Sequence, residues 1–157
     1  MAWSASKVFM ATIEDVFENT TAIDLNSDTF KCALYDNDIT PDQTVASSNT
    51  AYNAGQWTAS GNEVTDGTNW DTAGEPLTSV TSAFSSNVFT FDAANTPQSG
   101  ATCTLANVYG CLVYDDTITT PVADQGVSYH YFGGVQSVTA GTFTVTWNAS
   151  GIFTITA

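Results

Sequence analysis

A chain of 157 residues with 43% hydrophobic side chains is long enough for one domain with a real core, because a domain of this size typically buries roughly 70% of the surface its unfolded chain exposes. Only 11% of residues are charged, and 16 acids against Lys7 and Lys31 give a net charge of -14; such a chain is repelled by phosphate backbones and anionic leaflets, which excludes nucleic acid and membrane as partners. The remaining polarity is Thr, Ser, Asn and Gln, which suits a half-solvated pleated surface better than a charge-laced helix.

The first twenty residues, an N-terminal helix or arm (1–20), hold the one helical candidate. Ser4 or Ser6 is placed to cap it, and Phe9, Ile13, Val16 and Phe17 recur at spacings of three and four as far as the Asn19-Thr20-Thr21 break. A strand is the competing reading, since Phe9, Ala11, Ile13 and Phe17 share a parity; the helix is preferred because Glu14, Asp15 and Glu18 then fall mostly away from the apolar stripe. The opening run MAWSASKVFMATIEDVF carries acids where a signal peptide needs an apolar stretch, and no run reaches the roughly 18 apolar residues of a membrane span. The expectation is a protein made in a reducing cytoplasm with Cys32, Cys103 and Cys111 as buried thiols; a disulfide between two of them is the alternative.

From residue 22 the period becomes two. Runs 29–36, 76–84, 87–93, 108–116, 127–134, 142–148 and 151–157 are short strand candidates separated by Gly, Pro, Asn and Asp clusters. That spacing predicts a single all-β domain over 1–157, an antiparallel sandwich or barrel of Greek-key or jelly-roll type with one short N-terminal helix. At the C-terminus Phe143, Val145 and Trp147 alternate with Thr142, Thr144 and Thr146, and a turn at Asn148-Ala149-Ser150-Gly151 predicts a hairpin continued by Phe153 and Ile155. Segment 44–75 has little alternation and sets Tyr52, Trp57 and Trp70 among Gly, Asn, Ser and Thr. Large aromatics in a long polar loop either fold back over a core edge or anchor an interface.

One phrase occurs twice: CALYDNDIT at 32–40 and CLVYDDTIT at 111–119. Apolar residues on both parities predict central strands covered on both sides, and the acids that follow predict turns in which short side chains bond their own backbone. The sharper reading is a calcium site from Asp36, Asp38 and Asp42, or from Asp115, Asp116 and Asp124; neither copy has the order of an EF-hand loop, so a structural part used twice is the expectation. Catalytic signals are sparse. The lone histidine, His130, reads as a strand residue rather than the base of a dyad with Cys103 or Cys111. Acids near Trp70 in NEVTDGTNWDTAGEP suit a solvated loop better than a glycosidase pair, and no cofactor or metal motif is present. The chain is expected to be no enzyme.

The opening MAWS with its nearby Lys-x-Phe, TAIDLNSDTFKCALYDNDITPDQTVASSNTAYNAGQW, FDAANT, YGCLVYDDT, PVADQGVSYHYFGG and AGTFTVTWNASGI together resemble a family of small virion structural proteins of tailed bacteriophages, especially those of actinobacteria. The likeness covers nearly the whole chain and carries no catalytic motif. It implies a capsid decoration or cement protein, made in the host cytoplasm and placed on the capsid exterior, whose partner is the major capsid protein and which self-associates, for example as a trimer. On this reading Trp3, Lys7 and Phe9 of the arm and Trp57 and Trp70 of the loop form the interface. The alternative is a minor tail protein, or a tail-associated carbohydrate- or receptor-binding module that uses the two loop tryptophans.

Overall fold

The computed structural model describes residues 3–157. Its elements are β1 (Lys7–Val8), α1 (Met10–Glu18), β2 (Phe30–Tyr35), β3 (Glu75–Pro76), β4 (Thr81–Ser85), β5 (Val88–Asp92), β6 (Thr96–Pro97), β7 (Cys103–Asp115), β8 (Gly126–Gly141), β9 (Thr144–Val145) and β10 (Phe153–Thr156). They form a five-stranded sheet in the order β1-β8-β7-β2-β3, a three-stranded sheet β10-β5-β4 and a two-stranded ribbon β6-β9. Every pairing is antiparallel, and the fold is of the all-β, sandwich-like class that the period-two pattern predicts.

The repeated phrase makes the middle of the main sheet. β2 and β7 pair with Cys32 opposite Val113, Ala33 opposite Leu112 and Leu34 opposite Cys111, so a local two-fold through Ala33 and Leu112 relates the copies. Cys32, Leu34, Cys111 and Val113 enter one core, and Ala33, Tyr35, Leu112 and Tyr114 the other; all eight are fully buried. Where each strand ends the same turn appears, Asp38 N–H donating to Asp36 Oδ1 at 2.9 Å and Thr117 N–H to Asp115 Oδ1 at 2.8 Å. Ile39 and Ile118 then return to the interior.

The two cores are covered differently. On one face Phe30, Leu34 and Val113 meet Phe91, Val145, Trp147 and Ile152 of the smaller sheets and their connections. On the other, the cover is the N-terminal arm and segment 44–75, through Trp3, Phe9 and Trp57.

Three local expectations change. The N-terminal run is both a strand and a helix: β1 pairs with β8, and α1 begins only at Met10, with Phe9 rather than a serine at the N-cap and no side-chain cap. Ser6 Oγ accepts the Tyr131 N–H instead, at 3.0 Å. Asn19, at φ 55°, ends the helix where the sequence marks a break. Run 76–84 is split, because Leu77 N–H still bonds the Phe30 carbonyl at 2.8 Å while Ser79 turns at φ 52° and β4 starts afresh. The C-terminal hairpin does not form. Its parity holds, with Val145 and Trp147 buried and Thr142, Thr144 and Thr146 exposed, but β9 pairs with β6 and β10 with β5. Alternation fixes which face is buried and leaves the choice of partner strand open.

Candidate interaction surface

Four of the five residues assigned to an interface from the sequence are interior. Trp3, Phe9, Trp57 and Trp70 have 0% exposure, and Lys7 alone is exposed. Trp57 packs against Tyr35, Trp3 and Phe9 with ring centroids 5.1, 5.9 and 6.0 Å apart, all edge to face. Gly110 makes room for this nest: a Cβ there would lie 2.6 Å from the Trp3 ring and 2.3 Å from the His130 carbonyl. Trp3 Nε1–H donates to the Asp36 carbonyl at 2.6 Å. Trp70 enters the opposite core, edge-on to Phe143 at 5.6 Å. Arm and loop fasten to their own sheet through these four aromatics, which are closed to a partner.

The polar groups of segment 44–75 do the same work. The two repeat tyrosines pin it at two points, Tyr35 donating to the Trp57 carbonyl at 2.8 Å and Tyr114 to the Ala73 carbonyl at 2.7 Å. Glu63 accepts the Tyr52 hydroxyl at 2.9 Å and the Ala73 N–H at 2.8 Å, and burial pushes its carboxyl up. Asp66 Oδ1 accepts the N–H groups of Trp70 at 2.9 Å and Asn69 at 2.7 Å, which hold it well below the usual carboxylate range. Glu75 Oε1 takes the Asp71 N–H at 3.1 Å. Three of the four acids of this stretch, Glu63, Asp66 and Glu75, are thus committed to holding the loop.

Two further strand-end acids also have partners. Asp42 Oδ1 accepts the N–H and hydroxyl of Thr44, and Asp116 pairs with Lys31 at 3.0 Å. Among the described residues no three Asp, Glu, His or Cys side chains converge on a metal position. Asp115 differs from its repeat partner Asp36 in being fully buried. Its Oδ2 has no hydrogen-bond partner, and burial, with the Asp28 carboxyl alongside, raises it to about 7 against the pull of the Thr117 and Ile118 N–H groups.

His130 lies across the β7–β8 ladder from Cys111, yet its Nε2 is 2.9 Å from Ser128 Oγ and its ring packs edge-on to Trp147 at 5.3 Å. Loss of water around the imidazole pushes it down to about 4. Ser128 and Cys111 both have 0% exposure, so neither presents a nucleophile to solvent. All three cysteines are buried free thiols.

The molecule also leaves apolar side chains in water. Ile13, Val16 and Phe17 of α1 face Leu25 and the β10 residues Phe153 and Ile155 across one groove. Phe17 is 80% exposed, and Val16 and Ile155 are 42% exposed each. The groove encloses about 70 Å³, far below the roughly 300–1,000 Å³ of small-molecule sites; it is a niche for one side chain. The apolar stripe of the helix is readable in the sequence, but its exposure is not, because periodicity marks a face and not what covers it.

No protein-family model, curated protein or solved structure matches this chain. Among the described residues no helix is long and apolar enough to cross a membrane.

Proposed function

We propose that this chain is a bacteriophage virion structural protein, a decoration or cement protein that binds the outside of the major capsid protein shell and stabilises it. The observation that supports this most is the apolar α1–β10 groove on a domain of net charge -14. An uncovered apolar patch on a polar surface suits a protein contact, and the acidic exterior suits the side of a shell away from packaged phosphates. The resemblance of its long phrases to phage virion structural proteins is what directs that contact to a shell. On a lattice, many copies make a modest contact effective, and self-association, as a trimer for example, would follow the shell's own symmetry.

The tail-associated glycan-binding alternative depended on Trp57 and Trp70 as stacking platforms, and both are inside the fold. The copy number of the chain relative to the major capsid protein, measured by quantitative mass spectrometry of purified particles, tests the proposal. A ratio near one, or a simple lattice fraction, is expected; a handful of copies per particle would overturn it and move the protein to the tail.

A further inference from the structure

We infer that Asp28 and Asp115 share one proton, and that this carboxyl pair is a latch fastening the turn between α1 and β2 to the end of β7. Loss of the proton releases the turn while the strands of the main sheet stay paired.

The fold sets two carboxyl groups together with nothing to neutralise them. Asp115 has 0% exposure, and its two oxygens are placed differently. Oδ1 accepts the N–H groups of Thr117 at 2.8 Å and Ile118 at 3.3 Å, while Oδ2 has no donor. Register carries Asp28 to this carboxyl. Phe30 lies opposite Asp115 on β2, and Thr29 is locked beside it, its N–H on Thr117 Oγ1 and its carbonyl on the Asp116 N–H, both at 2.8 Å. The preceding Asp28 side chain then lies against Asp115. Its own Oδ2 accepts the Asp24 N–H at 2.6 Å and so closes the turn 24–28.

No cation answers the pair among the described residues. Lys31, the neighbour of Phe30 on β2, is engaged by Asp116 at 3.0 Å. Asp116 and Asp124, on the connection that follows β7, are acids themselves. On α1, Asp15 is taken up by Ser47 and Gln125, and Gln125 turns its carbonyl to the Asp115 N–H at 3.0 Å. Two carboxylates in contact, one of them out of water, cannot both ionise, so a proton stays between them. Asp115 is correspondingly raised to about 7. The folded state holds this proton more tightly than the unfolded chain, so the latch is closed in acid and is lost as pH rises through about 7.

The latched turn has little else to hold it. Asp24, Asn26 and Ser27 are exposed, and Leu25 is the one apolar side chain of the turn packed on the core. Leu25 also lines the α1–β10 groove, so release of the turn loosens one wall of that groove.

Amide hydrogen exchange of the intact protein between about pH 5.5 and 8.5, read as protection factors, tests the latch. Protection of the Asp24, Asp28 and Thr29 amides should fall by up to about tenfold per pH unit above about pH 7, the response to one proton, while the β2 and β7 amides keep theirs. Strands that lose protection in step with the turn, or a turn whose protection ignores pH, overturn the inference. Asp115→Asn keeps the Oδ1 acceptor and places an amide N–H where the shared proton lies, so its turn should stay protected at every pH. Asp28→Ala should leave the turn open at every pH, and Asp28→Asn should close it again. A wild-type pH response in Asp115→Asn, or wild-type protection in Asp28→Ala, sinks the latch.

Carboxyl carbon-13 shifts of the wild-type protein need no variant. Asp115 is expected to titrate at about pH 7, with the Asp28 carboxyl reporting the same step; an Asp115 signal at its ionised position throughout overturns the shared proton. Turn protection that calcium restores at the alkaline end and EDTA abolishes at the acid end would make the pair a cation site and overturn it as well.

Discussion

Trp57 and Trp70 in segment 44–75 have 0% exposure, whereas Phe17 at the end of α1 has 80%, although the segment is the more polar of the two regions. The contrast follows from what each region has available to hold it. A long stretch without strand alternation forms few ladder hydrogen bonds, so its few large aromatics are its means of attachment; each buries roughly 150–250 Å². Tyr35, Tyr114, Glu63 and Asp66 add the polar ties. Helix α1 bonds part of its own backbone and takes one tie from the Gln43 carbonyl, docks through Thr12 and part of its stripe behind its N-cap Phe9, and carries Val16 and Phe17 beyond the edge of what it covers.

The largest expected effect separates these two regions directly. Trp57→Ala should cost about 3–5 kcal/mol of folding stability, as truncation of a buried aromatic does, while Phe17→Ala should stay within about 0.5 kcal/mol, as exposed substitutions do. Urea titrations of the two variants measure this, and equal midpoints would break the comparison.

Next in size is the pH response of the committed interior. Asp115 is held at about 7, above its ordinary 3.8, so the folded state binds that proton more tightly than the unfolded chain. Its contribution to stability is complete below about pH 4 and is lost as pH rises through 7, with a slope of up to about 1.4 kcal/mol per pH unit. His130 runs the other way: held near 4 against an ordinary 6.5, it contributes stability above about pH 6.5 that is lost as pH falls through 4. The two slopes oppose each other over the same range. Asp115→Asn keeps the Oδ1 acceptor for the Thr117 N–H and removes one slope, so its stability should rise relative to wild type above pH 7 and fall relative to it towards acid. Parallel profiles for the two proteins would mean that Asp115 is ionised in the fold.

Much of the architecture is readable from residue order. The doubled Cys-x-x-Tyr-Asp phrase marks central strands because apolar residues fill both parities, and its acids mark Asx turns because nothing else at a strand end needs them; both hold at Cys32–Asp38 and Cys111–Thr117. The parity of Val145 and Trp147 is equally legible. Strand partnership is not, since β9 and β10 each find a partner more than forty residues away and no local signal encodes that distance. Nor does the sequence say on which side of the surface Trp57 and Phe17 lie, because both are apolar side chains with polar neighbours, and the deciding term is whether another element arrives to cover them. On that term Trp3, Phe9, Trp57 and Trp70 are interior rather than interface residues, and the exposure of the α1–β10 groove is illegible in the sequence for the same reason.

The smallest effect probes how segment 44–75 is held, and it uses the repeat. Tyr35 and Tyr114 occupy the same position in the two copies, and their hydroxyls bond carbonyls at two separate points of the segment, that of Trp57 near its middle and that of Ala73 near its end. Removing one hydroxyl should cost about 0.5–1.5 kcal/mol, with Tyr35→Phe at the lower end because the Trp57 carbonyl keeps the Asn53 N–H. If the two points are fastened independently, the double variant should cost the sum of the singles; a shortfall beyond about 0.5 kcal/mol would mean that release of one point already frees the other. Limited proteolysis gives the matching local readout. Tyr114→Phe should speed cleavage near Ala73 and Tyr35→Phe cleavage near Trp57, because local opening there no longer breaks the tie that each tyrosine supplies. Cleavage rates that rise at both points in either single variant would make the segment one cooperative flap rather than a strap fixed at two points, and the contrast with α1 would then lie in aromatic anchoring alone.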